Sequence, residues 1–333
     1  EEAEAEEELL DPDFRDRARN LEGCLRKEIV GQEEALRAVT RAVRKASCGL
    51  NDPCRPLGSF LLVGRTGTGK TELAKAVARN LFGPDGLVRI DCSEYALPHE
   101  TAKLIGAPPG YVGHNEGGTL TEALLRNSST VILFDEVEKA HEKLHNMLLQ
   151  ILDEGRLTDS KGRTVLFRNA VVLLTSNVGT RDYREADNRI GFGRDEGLPA
   201  AEYERLTRNA LERSFKPELL NRLDATLIFR PLDRQDCTRI ASMQLEGLAA
   251  RMQRAGIRLR WRPALAALLA DMGTSEEYGA REIRRTVDRE VEEPLSTRIL
   301  EGELNKGDEV TVGCRGGRTT FQRKALSRRR RAG

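Results

Sequence analysis

The chain is poor in aromatics, 5% of 333 residues with a single tryptophan, and it has no excess charge of either sign. Its 54 Lys+Arg against 53 Asp+Glu leave a formal +1, which singles out neither nucleic acid nor a membrane surface as partner. No apolar run approaches the roughly 20 residues that a membrane helix needs. The six cysteines, Cys24, Cys48, Cys54, Cys92, Cys237 and Cys314, form no C-x-x-C pair and no metal-ligand spacing with the four histidines. Free thiols in a reducing compartment follow more simply than a zinc site or a disulfide framework. The N-terminus shows no secretory signal, so the expectation is a cytoplasmic protein, or one of an organelle matrix. There is no internal repeat. Like charges cluster at the ends, acidic from Glu1 to Glu8 and basic from Arg323 to Arg331. These predict solvated, disordered tails over residues 1–16 and 322–333. The basic run carries no base-stacking aromatics, which argues against nucleic acid as a partner.

What is present centres on Phe60-Leu61-Leu62-Val63-Gly64-Arg65-Thr66-Gly67-Thr68-Gly69-Lys70-Thr71. Four apolar residues, a buried strand by pattern, run into a glycine-rich turn that opens a helix. Gly64, Gly69, Lys70 and Thr71 occupy the fixed places of the triphosphate loop G-x-x-x-x-G-K-[ST]. Glycines let successive N–H groups turn inward toward phosphate oxygens. Lys70 brings a point charge to the β- and γ-phosphates, and the Thr71 hydroxyl is a ligand for Mg²⁺. The helix N-terminus favours the same anion. Leu73, Val77 and Leu81 make its packing stripe, and Gly83-Pro84 stops it.

Elsewhere apolar runs alternate with helical periods. Arg17 to Glu28 predicts a surface helix, and Glu33 to Cys48 a second one. Strands are predicted at Leu87–Ile90, Val131–Phe134, Ala170–Leu174 and Thr226–Phe229. A helix is predicted over Val137–Leu152. Uniformly apolar strands fit a parallel sheet covered by helices on both faces. Past Pro231 helices dominate (Gln235–Ala255, Pro263–Asp271, Ala280–Leu300), followed by a hairpin over Glu309–Phe321. This organisation predicts a large α/β part, 17–230, and a small, mainly helical part, 231–321.

Val131–Phe134 ends in Asp135-Glu136. Behind a triphosphate loop, that places Asp135 at Mg²⁺ and Glu136 as base for the attacking water; a salt-bridged strand end is the plain alternative. Leu174 leads to Thr175-Ser176-Asn177, and parallel strands deliver their C-terminal ends to one ligand-binding edge. Asn177 either orients water near the γ-phosphate or closes an Asx turn.

The motifs together resemble the second, C-terminal ATPase module of the Clp family of AAA+ unfoldases, ClpC in particular. They are Val30-Gly31-Gln32, Ala107–Gly113, Phe134–His141, Gly155–Thr164, Thr175-Ser176-Asn177, Pro217–Asp224 and Gly279-Ala280-Arg281, covering about Leu21 to Val312. The resemblance implies a parallel five-stranded sheet in the order 5-1-4-3-2. It also implies ATP and Mg²⁺ as cofactors, a homo-hexameric ring, and unfolded or tagged proteins as substrates. Under it, Ile29 and Val30 line an adenine pocket with Ile240 and Ala280. Asn177 is a sensor of the γ-phosphate, Arg222 a finger acting on the neighbouring subunit, and Arg281 a second sensor. By pattern alone both arginines read as surface ion pairs. Tyr111 and Val112, in Gly110-Tyr111-Val112-Gly113, become a pore loop gripping polypeptide; the alternative is a tyrosine tucked into the core. Asp153 to Thr164 resembles a second pore loop. Ile190-Gly191-Phe192 resembles the tripeptide by which such ATPases dock on a ClpP-like protease. A ClpB-like disaggregase and a weakly hydrolysing ATP-bound scaffold are the alternatives. Departures from the family pattern are Arg65 for proline, Lys216 for arginine, His114 for an aromatic and Glu282 for proline; none removes a catalytic group.

Overall fold

The computed structural model describes residues 12–106, 117–180, 182–183, 199–274 and 279–324. Tyr111, Val112, Ile190, Gly191 and Phe192 lie outside these residues. By contacts the chain divides into two compact units between Arg230 and Pro231, with Thr66–Thr68 grouped with the second.

The first unit is built on strands β1 (Gly58–Val63), β2 (Leu87–Asp91) and β3 (Val131–Asp135). A short antiparallel hairpin follows, β4 (Arg156–Thr158) with β5 (Thr164–Leu166), and then β6 (Val171–Ser176) and β7 (Ala225–Ile228). The main sheet is parallel in the order β2-β3-β6-β1-β7, which is 5-1-4-3-2 when only its own strands are counted. Every residue of β1, β3 and β6 is buried. Side chains alternate across a strand, so each strand feeds two layers. Phe60 and Leu62 pack in one layer with Leu73, Val77 and Leu81 of the helix Lys70–Phe82. Leu61 and Val63 enter the other, with Leu144, Leu148 and Ile151 of the helix Glu142–Glu154. Each such side chain contributes about 1.5–3 kcal/mol by leaving water.

Two expectations at the N-terminus need correction. The first helix runs Pro12–Glu28, so order begins before residue 17, and the expected surface helix buries one side. Phe14, Ala18, Leu21 and Leu25 fall on one stripe and are buried, with Phe14 stacked on Phe82 at 6.0 Å between ring centroids. The charge between them occupies the outer face; what the expectation missed was the first turn, with Phe14, ahead of Arg17. The predicted helix Val137–Leu152 is also interrupted. A tight turn, Val137–Lys139, precedes a helix that starts at Glu142, where the His141 ring accepts the Lys143 N–H at 3.2 Å.

The second unit holds the helices Arg234–Arg254 and Pro263–Gly273 around its own core of Leu245, Leu265, Leu269, Ile283 and Val310. Asp233 and Asp236 form a reciprocal cap on the first of these. The hairpin expected over Glu309–Phe321 is β9 (Glu309–Arg315) with β10 (Arg318–Lys324), which runs three residues into the expected tail because Gln322, Arg323 and Lys324 pair with β9; an unforeseen strand, β8 (Arg258–Trp261), lies parallel to β9. Four residues of alternating Arg-Leu-Arg-Trp give too short a pattern, and the strand exists because β9 supplies its hydrogen bonds. The helix expected over Ala280–Leu300 is regular to Val287, widens to a π turn at Asp288–Glu292, and resumes at Glu293. Pro294 has no N–H to donate, and the ladder adjusts just before it.

Candidate active site

The loop after β1 is shaped by glycine where no other residue fits. A Cβ on Gly64, at φ +155°, would stand 2.6 Å from the carbonyl oxygen of Phe229. Gly69, at φ +104°, turns the chain into the helix Lys70–Phe82. Lys70 is 7% exposed, and its ammonium donates to the Gly64 carbonyl at 2.6 Å, the Arg65 carbonyl at 2.9 Å and Asn177 Oδ1 at 3.0 Å. The lysine predicted for the phosphates therefore sits inside the loop, with each acceptor compensating a charge taken out of water.

The tips of β3 and β6 lie beside this loop. Their backbone pairing reaches Phe134 opposite Leu174 and stops there. Beyond it, side chains join the two strand ends. Thr175, 1% exposed, donates its hydroxyl to Asp135 Oδ1 at 2.5 Å and accepts the Glu136 N–H at 3.1 Å. Asn177 Nδ2 donates to Glu136 Oε1 at 3.2 Å, and the Asn177 N–H donates to Glu138 Oε1 at 3.0 Å. The orientation of the Asn177 amide is fixed by chemistry, because an ammonium only donates and a carboxylate only accepts. Asn177 thus bridges Lys70 and Glu136. In sequence it had an equal alternative in a plain Asx turn.

Glu136 sits at φ 59°, the one non-glycine in the left-handed region among the described residues. Such a conformation costs about 1–2 kcal/mol and turns its side chain away from the strand direction. Lys139 donates to Glu136 Oε2 at 2.5 Å, and that bond holds the ammonium's pKa above its ordinary value. Arg89 donates twice to Asp135 Oδ2, at 3.1 and 2.7 Å. Cys92 is buried against these carboxylates, and desolvation together with their charge pushes its thiol pKa far up. It stays protonated.

Thr71 and Asp135, the residues expected at Mg²⁺, carry oxygens of the hard type that such an ion takes, and the two Asp135 oxygens accept from Thr175 and Arg89. Among the described residues no group of three or more His, Cys, Asp or Glu stands together as a metal cage.

Arg222 ends the helix Pro217–Arg222, exposed, with its guanidinium on Asp153 Oδ1 at 3.0 Å and its carbonyl accepting from Arg55. It is not part of the Lys70 cluster. Ile29 and Val30 are buried, and Ile29 packs into the first hydrophobic layer. Gln32, 4% exposed, clamps Arg230, donating to its carbonyl at 3.0 Å and accepting its N–H at 3.2 Å. Ile240, Ala280 and Arg281 belong to the second unit, where Ile240 and Ala280 pack on its core and Arg281 is the exposed first residue of its helix. The stretch resembling a second pore loop is the β4–β5 hairpin. At its turn the buried Asp159 accepts the N–H groups of Lys161 and Arg163.

Thr175, Glu138, Lys139, Arg89 and Gln32 had no role in the sequence reading. Two signals were available: Lys139 follows Glu136 at helical spacing, and Thr175 belongs to the same polar strand tip as Asn177.

A parallel sheet in this order, with a phosphate-type loop after its first strand and paired carboxylates after its third, defines a P-loop nucleotide-binding module. Comparison with known proteins agrees. Residues 55–226 match the family described as AAA domain (Cdc48 subfamily), and residues 232–312 match the C-terminal, D2-small domain, of ClpB protein. The chain belongs to the AAA family, in its Clp branch. It is 43% identical over 91% of its length to the negative regulator of genetic competence ClpC/MecB of Bacillus subtilis, covering 37% of that protein. It is 48% identical over 90% to the chaperone protein ClpB of Meiothermus ruber, covering 34% of it. Among solved structures it resembles a chain of Hsp104, in a closed-state cryo-electron microscopy reconstruction with ATPγS and FITC casein. The TM-score is 0.82 and the identity 35%, over 94% of this chain and 53% of that one. The chain thus spans about a third of the length of these curated relatives.

Proposed function

We propose that the protein is an ATP-driven unfoldase of the Clp type, working as a homo-hexameric ring through whose pore polypeptide is drawn. The observation that carries this reading is the chain of contacts from Lys70 through Asn177 to Glu136, which ties a phosphate-binding group to a candidate base. The Hsp104 neighbour, solved with ATPγS and casein, supports a nucleotide and a polypeptide as ligands.

In this mechanism Gly64, Arg65, Thr66, Gly67, Thr68, Gly69 and Lys70 hold the triphosphate. Thr71 and Asp135 hold Mg²⁺, which when bound neutralises phosphate charge. Glu136 accepts a proton from the attacking water on a carboxylate oxygen, after releasing Lys139, and Asn177 orients that water. Arg222 leaves Asp153 to act on the neighbouring subunit's site. Ile29 and Val30 take the adenine, and Arg281 responds to the nucleotide. Tyr111 and Val112 grip the substrate. Ile190-Gly191-Phe192 docks a ClpP-like protease, and the site of action is the cytoplasm or an organelle interior. Among the described residues no helix is long and apolar enough to cross a membrane.

A ClpB-like disaggregase is the second reading, favoured by the match of residues 232–312 and by the relative from Meiothermus ruber. The test is ATP-dependent loss of fluorescence from a folded, tagged fluorescent protein, with and without a ClpP-type peptidase. Glu136→Gln is expected to bind ATP yet neither hydrolyse it nor unfold the substrate, because an amide cannot take the proton. Hydrolysis by that variant at the wild-type rate counts against the mechanism. Unfolding followed by refolding, with the peptidase never engaged, selects the disaggregase.

A further inference from the structure

Asn177 is held at four points, and one of them belongs to no motif role. Its carbonyl accepts from the Thr180 N–H at 3.3 Å and hydroxyl at 2.7 Å, which fixes the turn that follows it. Its side chain spans Lys70 and Glu136. Its own N–H is fixed from the other strand by Glu138, in the turn Val137–Lys139 just past the paired carboxylates. The second oxygen of Glu138, Oε2, is buried and meets no hydrogen-bond donor among the described residues. A desolvated carboxylate oxygen without a donor costs free energy, so this side chain is a poor source of stability. As a geometric stop on one amide it is effective.

The distances show why such a stop matters. Asn177 Nδ2 reaches Glu136 Oε1 at 3.2 Å, already the long end for an N–H···O bond. A drift of a few tenths of an ångström in the Asn177 backbone breaks that contact. Backbone pairing between β3 and β6 ends at Phe134 and Leu174, so it does not hold the two tips in register at Asn177. Thr175 links the tips at Asp135 and the Glu136 amide, but among the described residues only Glu138 reaches across to the Asn177 backbone.

We propose that Glu138 is a positioning residue for ATP hydrolysis, setting Asn177 at the distance from which it serves both Lys70 and Glu136. The proposal rests on the reading of Asn177 and Glu136 given above. It predicts a loss in kcat with nucleotide binding preserved. Glu138→Ala lowers kcat roughly tenfold or more, while KM and the affinity for a fluorescent ATP analogue stay within about twofold. Glu138→Gln, whose amide oxygen still accepts the N–H, returns kcat to within about threefold of wild type. In an Asn177→Ala background, Glu138→Ala adds nothing, because both changes disable one device.

Three results overturn the proposal alone: wild-type kcat in Glu138→Ala while Asn177→Ala is slow, multiplied effects in the double variant, or Glu138→Gln as slow as Glu138→Ala. Wild-type kcat in Asn177→Ala overturns the proposal together with the role of Asn177. Should Glu138→Ala fail to fold, Glu138→Gln and Glu138→Asp decide in its place. The shorter Asp withdraws the acceptor while keeping the charge, and must slow kcat where Gln does not.

Discussion

Replacing Thr175 by valine removes one hydroxyl and leaves the shape of the side chain nearly unchanged, so no cavity complicates the outcome. The hydroxyl donates to Asp135 Oδ1 at 2.5 Å and accepts the Glu136 N–H at 3.1 Å, at a residue 1% exposed. A hydrogen bond to a charged group contributes about 1.5–3 kcal/mol, and a stranded buried donor costs about 1–3 kcal/mol more. Asp135 keeps Arg89, and Glu136 is only half-buried, so the lower halves of those ranges apply. The expected destabilisation is about 2–4 kcal/mol. In a unit of this size, that lowers the melting midpoint by roughly 4–16 °C. Function suffers further, because Asp135 loses the contact that orients it and the strained Glu136 peptide loses its acceptor. The measurements are thermal unfolding and steady-state ATP hydrolysis of Thr175→Val beside Thr175→Ser. Serine keeps the hydroxyl at the cost of one methyl, about 0.8 kcal/mol, and recovers most of the activity that valine loses. Valine melting within about 2 °C of wild type and hydrolysing at the same rate would refute this account of the strand tips.

Among the described residues Arg222 pairs with Asp153 and forms no bond to the Lys70 cluster, so a role across a subunit boundary has a specific signature. Mixing Arg222→Ala subunits with Lys70→Ala subunits is expected to restore part of the ATPase activity that each lacks alone; mixed rings that stay inactive count against it. Asp91 accepts the Ser93 hydroxyl at 2.6 Å and amide at 3.0 Å, and the hydroxyl bond is the main cause holding its carboxyl below its ordinary pKa of 3.8. Because the folded value is depressed, this stabilisation is whole above pH 3.8 and is lost as pH falls through the folded value. Ser93→Ala is therefore expected to melt below wild type at neutral pH, with the gap narrowing as the pH falls below 3.8; a gap independent of pH would show that Asp91 is not its source.

The sequence by itself determined the parallel sheet, because strands buried on both faces must be apolar at every position, and β1, β3 and β6 are. It also determined the phosphate loop, whose residue types are dictated by backbone geometry that a local stretch carries in full. Gly64 and Gly69 could be assigned from spacing, and their positive φ values follow from it. Other features needed partners far along the chain. The start of the Pro12–Glu28 helix was set within an acidic tail, and the packing of Phe14 on Phe82 ties that first turn to the core. Strand β8 is four residues long and forms on β9, some fifty positions later. The links among Lys70, Asn177, Glu136, Glu138 and Thr175 join segments up to 107 residues apart. Their donors and acceptors are visible in sequence as polar strand tips, but which atom meets which depends on register. Tertiary structure decided that: β3 and β6 run parallel in one register, their ladder ends at Phe134 and Leu174, and side chains complete the pairing beyond it.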